Sequence, residues 1–220
     1  MPTPFVIMRK LLADIFCVAF VLCMVACAEG DDDGDVYIPP YVTDLVVAST
    51  DANGKVLNVS LDDGATYNVA AQQVDLERKD TVLRCMAVYT YDDAKNIQLF
   101  SLRPIFSSKS YPASSIYVII DGKAYKDVSL LPRDPMKVIS MWKSGGYLNM
   151  HLGMMTTDNG THQFAFCEDS TGHFSLLHQR PASDGSAYTE NVYMSMPLPQ
   201  GLDQFTFTVK TYDGNYTRTF

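Results

Sequence analysis

From residue 42 onward, apolar and polar positions alternate with a period of two, the signature of half-buried strands. Val42 to Thr50 and Lys55 to Leu61 flank Asp51-Ala52-Asn53-Gly54, where Asn-Gly accepts the positive φ of a tight hairpin. Thr81 to Tyr91 and Asn96 to Phe106 flank Asp92-Asp93-Ala94-Lys95, and in the first of these Leu83, Cys85, Ala87 and Tyr89 share one face. Leu148, Met150, Leu152 and Met154 alternate with Tyr147, Asn149 and His151. Asn159-Gly160 then turns the chain into His162 to Glu168, and Thr171-Gly172 turns it into His173 to Arg180. After a polar loop through Asp184-Gly185, Tyr188 to Met196 leads on to Phe205, Phe207 and Val209, which alternate with Thr206, Thr208 and Lys210. Asp213-Gly214 folds that strand back into Tyr216 to Phe220. Only Ala70 to Lys79 reads as a short helix. About ten short strands with regular turn signals predict an all-β protein of sandwich or barrel type. Breakers at Ser107 to Ser115 and at Leu131-Pro132-Arg133-Asp134-Pro135 divide it into two units of roughly 80–100 residues. Ser115 to Ile120 lies between them and fits either half.

The first residues break this pattern. Arg9 and Lys10 precede an apolar run from Leu11 to Ala26, interrupted only by Asp14. A basic start and a short apolar stretch ending in small residues predict a signal peptide over 1–26, with Met1 or Met8 as its initiator. Met24-Val25-Ala26-Cys27-Ala28 resembles a bacterial lipobox, which makes Cys27 the expected site of lipidation. At about 0.8 kcal/mol per buried CH₂, two or three acyl chains there would hold the protein firmly to a bilayer. Residues 27–42 form the tether. In it Glu29, Asp31, Asp32, Asp33 and Asp35 repel one another and keep the chain extended, and Pro39-Pro40 ends it. The acidic run also resembles the export signal that sends some Gram-negative lipoproteins to the outer face of the outer membrane. It lacks the ligand spacing and the later Glu of an EF-hand.

Charge narrows the partners. The 220 residues carry 17 Lys and Arg against 25 Asp and Glu, and cleavage at Cys27 removes Arg9, Lys10 and Asp14 to leave a net charge of −9. Nucleic acid, which needs clustered cations, is not an expected partner. A lipid bilayer is, through Cys27, together with a protein, peptide or glycan ligand.

No Gly-x-Ser-x-Gly, His-Glu-x-x-His, Cys-x-x-Cys or phosphate-binding loop occurs, so catalysis and cofactors are not expected. The four histidines, 151, 162, 173 and 178, invite a zinc site, but alternation puts His151 with Tyr147 and Asn149, and His162 with Phe164 and Phe166. Asp169, Ser170 and His173 are close along a turn, which does not make a triad. Cys85 and Cys167 are the other thiols of the mature chain, one in each half; an exported protein allows a disulfide between them, and two buried free thiols are the other reading. Tyr89, Tyr91, Phe100 and Phe106 are candidates for stacking on sugar rings. Asp80-Thr81-Val82 and Asp169-Ser170-Thr171 resemble the Asp-Ser/Thr-apolar acceptor of exported bacterial glycoproteins.

Several short patterns carry a wider resemblance. They are Lys79-Asp80-Thr81-Val82-Leu83, Ser101-Leu102 and Ser108-Lys109, then Asp134-Pro135-Met136, Gly146-Tyr147-Leu148-Asn149, Ser175-Leu176-Leu177-His178, Asp184-Gly185 and Tyr212-Asp213-Gly214. Through them the chain resembles the NigD-like lipoproteins. The resemblance implies an OB-fold-like barrel over 43–122 followed by a β-sandwich over 123–220. It also implies a role in bacteriocin immunity, the function proposed for the lipoprotein of the gene cluster that names the family. The alternative is a surface accessory that binds glycan or docks with an outer-membrane uptake complex.

Overall fold

The computed structural model describes residues 41–72, 76–92, 95–120, 123–127 and 130–220. Cys27 and the acidic residues Glu29, Asp31, Asp32, Asp33 and Asp35 lie outside the described residues.

Strands β1 (Val42–Thr50), β2 (Val56–Leu61), β3 (Thr66–Gln72), β4 (Val82–Tyr91) and β5 (Asn96–Pro104) close a barrel in the order β1-β2-β3-β5-β4, with β4 returning to pair with β1. β3 runs parallel to β5 and the other neighbours are antiparallel. The barrel is the one expected from the resemblance. Its first hairpin forms where Asn-Gly predicts it. The Asp51 carboxylate accepts the Asn53 and Lys55 amides at 2.8 and 2.9 Å, and Gly54 takes a φ of +89°. A Cβ at Gly54 would stand 2.0 Å from the Leu76 carbonyl oxygen, so only glycine fits.

The helix expected over Ala70 to Lys79 does not form in the residues described there. Ala71 and Gln72 instead pair with Gln98 and Leu99 of β5, and Leu76 packs against the barrel core. Tertiary pairing overrides a weak local preference.

The barrel strands end at Pro104. Two short strands follow, β6 (Phe106–Ser107) and β7 (Ser110–Pro112), which lie within the span assigned from sequence to the barrel but hydrogen-bond to sheets of the second half. Phe106 is drawn there by its rings: it packs 5.7 Å from Phe164 and 5.3 Å from Phe166. A small hairpin, β8 (Val118–Ile120) with β9 (Lys123–Tyr125), follows.

The second half is a sandwich. One sheet orders β10 (Lys137–Ser144), β11 (Tyr147–Thr156), β14 (Tyr188–Pro197) and β6. The other orders β16 (Gly214–Thr219), β15 (Thr206–Thr211), β13 (His173–Gln179), β12 (Gln163–Ser170) and β7. Leu148, Met150, Leu152, Met194 and Met196 face inward against Phe166, Phe174 and Phe207. The barrel core is built instead from Val46, Ala48, Val56, Val59, Ala87, Ile97 and Leu99, side chains short enough for a narrow lumen. The described residues from Tyr41 to Phe220 form one compact unit. Among the described residues no helix is long and apolar enough to cross a membrane.

Candidate functional site

Alternation along β11 and β14 sends Asn149 and Ser195 to the outer face of their sheet, yet both are fully buried. What covers them is Arg84 of β4, only 5% exposed. Its guanidinium donates to both Asp62 oxygens at 2.6 and 2.8 Å, to the Asn149 side-chain oxygen at 3.1 Å, to Ser195 Oγ at 3.3 Å and to the Leu45 carbonyl at 3.4 Å. The Tyr147 ring lies 4.3 Å from the guanidinium carbon. Ser144 donates to Asp62 at 2.5 Å, and Asn149 donates to Ser144 at 2.8 Å. Burial raises the Asp62 pKa, but the bonds from Arg84 and Ser144 outweigh it and hold this carboxyl below the usual range. A charged, fully bonded node therefore joins barrel and sandwich.

The same outer sheet face continues past the node as a shelf. Pairing puts Trp142 across from Asn149, and His151 across from Tyr193. His151 and Tyr193 stack with ring centres 4.3 Å apart. Opposite the shelf stand Thr43, Asp44 and Leu45 of β1, Met86 of β4, and Asp62 and Asp63 after β2, enclosing a cleft of about 430 Å³. Two aromatics, three carboxylates and the aliphatic hydroxyls of Thr43 and Ser144 line it, and no cation does. Asp62 is committed to Arg84. Asp44 accepts one bond from Tyr89 at 2.9 Å and Asp63 accepts one from the Ala65 amide at 2.8 Å, so both keep free lone pairs and both are exposed. Such a cleft is built to receive a donor-rich or positively charged ligand.

A second polar node lies in the sandwich. Phe164 pairs across the sheet with His178, and His162, one residue before β12, comes to lie with its Nδ1 2.8 Å from His178 Nε2. His162 Nε2 stands 2.9 Å from Asp184, whose side chain is wholly buried. Burial lowers the His178 pKa, so this ring favours the neutral form.

Of the residues singled out in the sequence, the structure brings His162 and His178 together and leaves His151 and His173 elsewhere. His173 bonds Thr206 at 2.7 Å, and Asp169 pairs with Arg133 at 2.9 Å, so Asp169, Ser170 and His173 form no triad. Among the described residues no group of three or more potential ligands could hold a metal. Cys85 and Cys167 are both free and buried, each in a different apolar cluster, so the bridge that the sequence allows is not formed. Tyr89 lies wholly inside the barrel and Phe106 packs on the sandwich core; Tyr91, at 48%, is the one exposed ring of the four stacking candidates. Sequence reading missed Arg84, Asp62, Trp142 and Tyr193. The available signal was a lone Arg inside an apolar strand, with Asn149 and Ser195 set between methionines and leucines.

No family model matches this sequence, and no curated protein matches it. Crystal structures do. A toxin-related protein from Parabacteroides distasonis superposes with a TM-score of 0.65 at 16% identity, covering 82% of this chain and 92% of that one. A NigD-like immunity protein from Bacteroides caccae gives 0.60 at 21% identity, covering 84% and 93%. The chain has the fold of a NigD-like protein. A lipoprotein from Bacteroides fragilis shares that NigD-like fold more distantly, with a TM-score of 0.53 at 10% identity over 83% of this chain and 97% of that one.

Proposed function

We propose that this is a lipid-anchored protein of the outer membrane, displayed at the cell surface, that acts by binding a small secreted peptide and so protects the cell that carries it. Three things support the reading. Cys27 stands in a sequence that resembles a lipobox and is followed by an acidic run. The fold is that of a protein described as a NigD-like immunity protein. Most directly, the cleft presents Trp142 and Tyr193 beside the free lone pairs of Asp44 and Asp63 with no cation among its lining residues, which suits a basic peptide. Binding rather than catalysis is part of the proposal; Asp62, the half-buried carboxylate of the cleft, is engaged by Arg84.

The test is an affinity capture with the immobilised mature chain, challenged with spent medium and solubilised outer membrane and read by mass spectrometry. Enrichment of a small basic peptide is expected. Trp142→Ala should weaken its binding about tenfold or more, as for a central aromatic anchor. Recovery of a barrel transporter or a glycan-handling lipoprotein instead would replace the immunity reading with the accessory role.

A further inference from the structure

Paired residues of an antiparallel ladder share a face, so Tyr216 and Arg218 of β16, the partners of the buried Val209 and Phe207, point toward the inside of the sandwich. β16 is the outer strand of a five-stranded sheet packed on a four-stranded one, and its inward side chains reach over the edge strand β10. Arg218 is used there: it donates to the Met141 carbonyl at 2.6 Å and lies 4.9 Å from the Phe220 ring. Phe220 in turn stacks on Phe205 with ring centres 5.2 Å apart. Tyr216 is not used. It faces inward yet is 41% exposed, and among the described residues its ring and hydroxyl have no partner.

Tyr216 borders a cleft of about 440 Å³, a size within the range of small-molecule sites. The floor is Gly153, on the outer face of β11 and paired with Lys137. Glycine weakens a strand interior, and one reason to keep it is the close approach of a backbone or a ligand. No backbone comes near: the atoms closest to where a Cβ would stand are Thr189 Cγ2 at 2.8 Å, Lys137 Cβ at 3.4 Å and Ile139 Cδ1 at 3.9 Å. The walls carry Tyr212, 46% exposed in the turn between β15 and β16, with Asp213 beside it and Lys137 at the start of β10. Among the described residues neither Lys137 nor Asp213 forms an ion pair or a side-chain hydrogen bond.

This chemistry differs from that of the Trp142 cleft. There three carboxylates stand without a cation; here one ammonium and one carboxylate stand apart beside two phenol rings, which gives donors, acceptors and apolar faces with no net charge. A ligand that matches all three has hydroxyls that donate and accept, and a C–H face to lie on an aromatic ring. Those are the features of a neutral sugar. A peptide strand fits less well, because adding one to the β10 edge needs outward backbone groups and Arg218 already takes the Met141 carbonyl. We propose that this cleft is a carbohydrate-binding site for neutral sugar rings, stacked on Tyr212 and Tyr216 and hydrogen-bonded through their hydroxyls to Lys137 and Asp213. The two clefts share no lining residue, so a sugar held here is a second ligand beside the proposed peptide.

The test is saturation-transfer NMR and calorimetry on the full chain with neutral tetrasaccharides of glucose, mannose and galactose, each in α- and β-linked forms. At least one should bind saturably with a Kd below about 1 mM. Tyr212→Ala and Tyr216→Ala, both at exposed positions, should each weaken it about tenfold, and Lys137→Met or Asp213→Asn about threefold or more. Gly153→Leu should abolish binding by filling the floor, and the two tyrosine variants carry the test should that one not fold. Absence of saturable binding by every sugar, or binding that ignores both tyrosine changes, would overturn the site. Binding that falls with Trp142→Ala and not with the tyrosine changes would put the sugar in the Asp-lined cleft and overturn it as well.

Discussion

Asp62 and Asp184 are two carboxylates withdrawn from water by different means. Asp62 is answered by a guanidinium brought from another strand, and the node it anchors spans the two halves of the molecule: Arg84 reaches Asn149 and Ser195 far along the chain. Asp184 is answered by the hydroxyls of Thr156 and Thr157 and by the Thr157 amide. The first node is permanently charged, because arginine does not titrate in proteins. The second is built from neutral donors. A fixed charge suits a joint that must hold the cleft's two walls in register, whereas neutral donors suit a carboxylate that ties one loop to the end of β11.

Removing the fixed charge should have the largest effect. Arg84→Ala leaves Asp62, Asn149 and Ser195 without their donor, and because Asp62 is partly open to solvent the loss is that of charge-assisted hydrogen bonds, about 1.5–3 kcal/mol. Urea unfolding followed by the fluorescence of Trp142, the single tryptophan, measures it. Adding Asp62→Asn to that variant should cost far less than the two changes summed, since the uncompensated charge is gone. A loss below about 1 kcal/mol for Arg84→Ala would mean that the joint is a surface ion pair in all but appearance.

The contrast also explains what the sequence discloses. The hairpins at Asn53-Gly54, Gly172 and Asp213-Gly214 are local, and local chemistry writes them into the chain. The Asp184-Gly185 loop is legible as a turn for the same reason, though its carboxylate's partners are not. β6 and β7 are invisible because two or three residues carry no periodicity, and their parallel partners lie more than fifty residues away. Arg84 is hidden more thoroughly. It sits on the solvent side of an alternating strand by every local rule, as Asn149 and Ser195 do on theirs, and each is buried only because the other half of the molecule covers it. A candidate site made where two units meet is a product of their docking, which strand periodicity does not encode.

Acid should separate the nodes next. Asp62 has a folded pKa below its ordinary 3.8, because the bonds from Arg84 and Ser144 outweigh burial, so its contribution is complete above that value and disappears as pH falls through the depressed folded pKa. Trp142 fluorescence should therefore be flat from neutral pH down to about 4 and change only below it. Arg84→Ala should move that change upward in pH, since only the bonds from Ser144 and Asn149 then oppose burial. A Trp142 transition coincident with loss of amide-exchange protection at Gly185 and Ala187 would show that the two nodes are one cooperative unit.

The smallest expected effect comes from the thiols. Burial pushes Cys85 up to about 12, and burial followed by the charge of Asp169 pushes Cys167 up to about 11. At pH 8 neither offers a thiolate, and neither is accessible. A disulfide reagent should thus find no reactive thiol at these two positions in the folded protein and both after denaturation, with unchanged mobility on reducing and non-reducing gels. Since Cys85 belongs to the barrel core and Cys167 to an apolar cluster of the sandwich, their rates of exposure in mild urea report each half separately. In the wild type both should open together, because Arg84 couples the halves. In Arg84→Ala the two rates should part, and a common rate there would place the coupling somewhere other than this one guanidinium.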